Sequence, residues 1–172
     1  MKTRKLIFIA IMISISVVLS IVETAISGMI FLVPGVKLGL ANVITLIVLM
    51  TLGEKDAFSV VFIRILIVAL TYSGLFSNSF WISISGGMLA ILGMILIKKT
   101  KLSIFSISVF GSLLHMVGQI AAAIVVSNTE TLIYLLPYMI ALSVPTGLIT
   151  AYLARRVITN FSDTIKNFKE QK

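Results

Sequence analysis

Long apolar blocks separated by short polar clusters set the pattern of this chain. The most informative block is uncharged from Leu102 to Val126. About 20 apolar residues at 1.5 Å rise each cross a hydrocarbon core of roughly 30 Å, so this block predicts a membrane-spanning helix. His115, the one histidine, then lies near mid-bilayer, and Gln119 follows it by four, which puts both on one helical face with Gly111 and Gly118 on or near it. Polar groups at that depth are expensive and face the protein interior. Two roles are open to them: hydrogen bonding between helices, or lining a ligand cavity.

Five more blocks give the same reading. Leu6 to Val22, behind Lys2, Arg4 and Lys5, is expected to be a retained first helix; its apolar core is longer than that of a secretory signal, although Ala25-Ile26-Ser27 imitates a cleavage site. Its small residues, Ala10 with Ser14 and Ser16 with Ser20, are spaced to let another helix approach, which makes Ala10 and Ser14 candidate partner-docking positions. Glu23 to Val36, with Gly28, Pro34 and Gly35, is expected to be a loop. A short second helix from Lys37 to Leu52 brings Lys37 and Asn42 to its outer end, and the turn Gly53 to Asp56 leads to a third helix, Ala57 to Phe76, which buries Arg64. The fourth, Ser79 to Ile97, carries Ser79, Ser83 and Gly87 in a row beside Gly86, Ala90 and Gly93. The sixth runs from Thr131 to Ala154, with Pro137 and Pro145 as expected kinks.

The expected fold is therefore an all-α membrane protein of six transmembrane helices over residues 1–156, followed by a basic amphipathic tail, 157–172. Composition agrees: of 172 residues, 59% are hydrophobic and only 12% charged, which excludes an ordinary soluble domain. The net charge of +8 does not point to nucleic acid, because the basic residues sit in clusters between apolar blocks. Those clusters fall on one side, while Lys37 falls on the other, so both termini are expected in the cytoplasm. Tyr72, Trp81, Tyr134 and Tyr138 map to the outer boundary.

Candidate catalysis is sparse. The acids, Glu23, Glu54, Asp56, Glu130, Asp163 and Glu170, all fall in expected loops or the tail, and cysteine is absent. No buried carboxylate pair, metal-ligand spacing or nucleotide-binding loop follows from the pattern, so no enzyme, metal or cofactor is expected. Arg64 has no expected acidic partner within the membrane. It snorkels to the inner boundary, is satisfied by backbone carbonyls and side chains such as Gln119 or Asn42, or faces a wet cavity and meets an anionic group.

The residues also carry a resemblance. Pro34-Gly35-Val36-Lys37-Leu38-Gly39-Leu40-Ala41-Asn42, Arg64, Ser85-Gly86-Gly87-Met88-Leu89-Ala90 and His115-Met116-Val117-Gly118-Gln119 together resemble the Gx transporter family, also labelled heptaprenyl diphosphate synthase component I, from about Lys5 to Arg156. That family is similar to the substrate-binding S components of energy-coupling-factor transporters. The likeness implies an S-component-like bundle in the cell membrane, an outward-facing site capped by the first loop, and a transmembrane coupling subunit with two ATPase subunits as partners. The candidate ligand-binding set is Lys37, Asn42, Arg64, Gly86, Gly87, His115 and Gln119. Its expected ligand is a small, anionic, vitamin-, isoprenoid- or quinone-related molecule. The alternative, which the second family label implies, is a non-catalytic membrane subunit of a heptaprenyl diphosphate synthase or a membrane redox system.

Overall fold

The computed structural model describes residues 2–30 and 36–160. It is an all-helical bundle: α1 (Lys2–Ile30), α2 (Asn42–Thr51), α3 (Glu54–Val68), α4 (Asn78–Lys99), α5 (Ile104–Ser127) and α6 (Leu136–Asn160). α3 continues as a π-helical turn over Ala69–Ser73, and a 3₁₀ segment, Glu130–Leu135, leads into α6. Five of these helical stretches are long and apolar enough to cross a membrane; α2 is apolar but shorter. At 1.5 Å per residue its 10 residues cover about 15 Å, half a hydrocarbon core.

The first helix and loop differ most from expectation. α1 does not end at Val22 but continues through Ile30, so Glu23 lies inside a helix, 2% exposed. The polar residues read as a helix end are absorbed there. Thr24 Oγ1 donates to the Ser20 carbonyl (2.7 Å), and the Glu23 carboxylate accepts hydrogen bonds from the segment before α2. α2 correspondingly starts at Asn42 rather than Lys37, because Val36 to Gly39 is not helical. Pro34 and Gly35 of the expected loop lie outside the described residues, as does the amphipathic pattern from Phe161 onward. α6 runs past Arg156 to Asn160, with Val157 and Ile158 packed against the core. Pro137 sits in the first turn of α6, where its missing N–H costs nothing, while Pro145 is internal.

Polar contacts fix which helix ends lie together. Lys5 Nζ pairs with Asp56 Oδ2 at 2.8 Å, joining the start of α1 to that of α3. Lys98 Nζ donates to the Leu49 carbonyl (2.8 Å), joining the end of α4 to that of α2. Ala154, Val157 and Ile158 share one apolar cluster with Ile97, Ile104 and Leu52, which adds the start of α5 and the end of α6. The described basic residues outside the cavity below gather at this end. This is the end that the positive-inside rule expects on the cytoplasmic side.

Glycines set the closest packing. Ser85 Oγ donates to the Gly118 carbonyl (2.9 Å) across the α4–α5 interface. A Cβ at Gly118 would meet the Ser85 carbonyl oxygen at 2.9 Å and the Gly86 Cα at 3.0 Å. Such backbone contact is how small residues bring membrane helices together.

Candidate functional site

α1, α3, α4, α5 and the first residue of α2 surround a polar cavity, which Lys37, Gly39 and Ala41 of the preceding segment also line. The sequence of α1 presents Ser16, Ser20, Glu23 and Ser27 at helical spacing, and all four are buried on its inner face. Glu23 Oε1 accepts from the backbone N–H groups of Gly39 and Leu40, the latter at 2.9 Å, and Oε2 accepts from Ala41 (3.4 Å). These amides open α2, whose first turn closes with Asn42 N–H donating to the Gly39 carbonyl (3.0 Å). A helix N-terminus presents unsatisfied donors and a positive dipole end, so a carboxylate there is favourable. Gly39 carries φ +92°, and a Cβ on it would lie 3.0 Å from Asn42 Nδ2 and 3.3 Å from the His115 ring, so glycine suits both the turn and the close approach.

From α5, Gln119 clamps the same segment. Lys37 N–H donates to Gln119 Oε1 (2.5 Å), and Gln119 Nε2 donates back to the Lys37 carbonyl (2.9 Å). The amide thereby satisfies both backbone groups of one residue, as a neighbouring strand would. The side chain of Lys37 turns into the cavity and donates to Ser83 Oγ of α4 (3.1 Å). Burial pushes its ammonium down to about 8, with Glu23 opposing the shift and Arg64 adding to it.

Glu23, Lys37, Gly39, Asn42, Arg64, Ser83, His115 and Gln119 line the cavity, with Ile65, Val68 and Phe80 as its apolar wall. The free space between them is about 20 Å³, on the order of one water molecule, so a ligand enters only as the lining residues part. Arg64 is 4% exposed and does not snorkel to an end of the bundle. Its Nη1 has no hydrogen-bond partner among the described residues, and neither has Asn42 Nδ2 or either imidazole nitrogen of His115, although the Gly86 backbone lies against Nδ1. The expectation that no acid shares the membrane interior with Arg64 is corrected: Glu23 faces the same cavity. It is not within ion-pair distance of Arg64 or Lys37, since the described ion pair is Lys5 with Asp56.

The structure thus brings Lys37, Asn42, Arg64, His115 and Gln119 around one space, while Gly86 and Gly87 stand behind its wall. A Cβ at Gly86 would meet Gln119 Cγ at 2.6 Å and the His115 carbonyl oxygen at 3.1 Å, and one at Gly87 would meet Ile65 Cδ1 at 2.9 Å. These glycines set how closely α4 packs on α5 and α3. Gly86→Ala is therefore expected to destabilise the protein by about 1–3 kcal/mol, the usual cost of overpacking, read by thermal unfolding in detergent. Unchanged unfolding would mean that α4 and α5 are not held this close. Ser20, Glu23, Ser73 and Ser83 are polar lining residues that sequence reasoning did not place in the site.

The fold is that of an all-α membrane bundle, with a polar, partly cationic cavity inside it. The chain belongs to the heptaprenyl diphosphate synthase component I family, whose model matches residues 12–157. No curated protein and no solved structure matches it.

Proposed function

We propose that the protein is a membrane-embedded binding component that takes a small anionic molecule into this cavity, as the substrate-binding component of an energy-coupling-factor-type transporter does. One observation carries the reading: Arg64 and Lys37 are buried together without an acidic partner in ion-pair contact, next to an unpaired His115. A buried charge without a partner is costly, so such a group persists where something else compensates it. The single nearby carboxylate, Glu23, accepts three backbone hydrogen bonds and offsets one positive charge of two, which leaves the other to an incoming anion. Ile65, Val68 and Phe80 offer that molecule an apolar surface. Binding without chemical conversion is the simplest use of this set, because Glu23 is committed to the α2 amides.

The second reading, a non-catalytic membrane subunit working with a prenyl diphosphate synthase, is favoured by the family's description. Co-purification from native membranes separates the two. An integral coupling subunit with two ATPases supports transport, whereas a soluble synthase alone sinks it.

The partner surface follows from α1. Ala10 and Ser14 are exposed on the side of α1 opposite Ser16, Ser20 and Glu23, and Ser14 Oγ satisfies itself on the Ala10 carbonyl (2.9 Å). Ala10→Trp and Ser14→Trp are expected to weaken association with the coupling subunit about tenfold or more, about 1.4 kcal/mol, while ligand binding persists. Normal assembly of both variants would move the docking face elsewhere.

A further inference from the structure

Below the cavity, α5 continues its buried polar face toward the basic end of the bundle. Gln119, His115, Ser112 and Ser108 follow one another at helical spacing, at 1%, 5%, 1% and 0% exposure. Thr150 (1%) is buried on α6, which packs against α5, and Thr45 (0%) on α2, which packs against α6. Gly147, one turn before Thr150, lies so close to α5 that a Cβ on it would be 2.7 Å from Val109 Cα and 3.1 Å from Ser112 Oγ. The α5–α6 pair is antiparallel, so Ser112 sits level with Gly147 and Ser108 level with the Thr150 turn. From His115, Ser112 is about 4.5 Å and Ser108 about 10.5 Å along the helix axis.

The hydroxyls of Thr45, Ser108, Ser112 and Thr150 have no hydrogen-bond partner among the described residues. Ser16, Ser27 and Ser79 share this behaviour, whereas other hydroxyls in these helices are satisfied locally. Thr51 Oγ1 bonds the Ile47 carbonyl at 2.7 Å, Thr71 Oγ1 bonds Ile67 at 2.8 Å, and Thr146 Oγ1 bonds Leu142 at 2.9 Å, each one turn back on its own helix. The interior set forgoes that local bond at sites closed to bulk water. Buried polar groups are satisfied by protein or by ordered water, and internal waters bind where two or more such groups converge.

We propose that Thr45, Ser108, Ser112 and Thr150 hold a file of internal water molecules extending from the His115 cavity toward the basic end of the bundle. The file rests on these hydroxyls alone and stands whether or not the cavity takes an anion. Water-edited solid-state NMR on the full-length protein in lipid bilayers tests it. Polarisation from water should reach the Cβ atoms of Ser108, Ser112, Thr45 and Thr150 about threefold faster than it reaches Ile91 and Met94, which are equally buried (0%) but apolar. Build-up as slow as at Ile91 and Met94 would overturn the proposal. So would sodium-dependent shifts at Ser112 and Thr150, which would mark a bound cation instead of water.

Discussion

Replacing Glu23 with alanine is expected to destabilise the protein by about 2–4 kcal/mol, the largest effect of any single change in the cavity. The side chain makes no ordinary surface contact. It holds the backbone N–H groups of Gly39, Leu40 and Ala41, and it brings the only negative charge among the described cavity residues to Lys37 and Arg64. Its loss leaves three donors at the opening of α2 without their acceptor and two buried cations without a nearby counter-charge. Glu23→Gln keeps one acceptor oxygen but no charge, so its cost should fall between wild type and alanine. Unfolding followed in detergent, with hydrogen exchange at Gly39 to Ala41, reads both terms. Wild-type stability and unchanged exchange in Glu23→Ala would remove Glu23 as the anchor of α2.

Arg64→Gln should do the opposite: lower affinity for the cavity's ligand about tenfold or more, about 1.4 kcal/mol, without loss of folded protein. An arginine buried for structure is satisfied by its neighbours, and its removal strands them. Arg64 leaves Nη1 unpaired, so deleting the charge removes a desolvation cost from the empty protein while depriving the anion of a donor. The contrast between lower affinity and equal or higher stability separates a binding arginine from a structural one. Lys37 adds a pH signature. Burial holds its ammonium down at about 8, and only the charged form attracts an anion, so affinity should decline as pH rises through 8. Flat affinity between pH 7 and pH 9 would take Lys37 out of the site.

What the sequence made legible is what depends on local pattern. α4 and α5 begin and end within about two residues of the apolar blocks that predict them, because Ser77 and Ser103 cap them and basic or polar turns close them. Lys37, Asn42, Arg64, His115 and Gln119 stood out as polar groups in or beside apolar runs, and they surround one cavity. Glu23 did not stand out. A charge after an apolar run normally ends a helix, and its partners, Gly39 to Ala41, come from a separate element whose approach no local pattern encodes. The same long-range contact shortened α2, since Glu23 and Gln119 hold the preceding segment outside helical geometry. Gly86 and Gly87 were conspicuous in sequence, yet their lack of a side chain serves the contacts of α4 with α5 and α3 behind the cavity wall.

Native mass spectrometry of the protein released from its own membranes bears most directly on the cavity. Wild type should carry a small negatively charged molecule at one copy per chain, and folded Arg64→Gln purified in parallel should carry little or none. Equal occupancy in the two proteins, or a bound molecule without negative charge, would contradict an anion seated between Lys37 and Arg64.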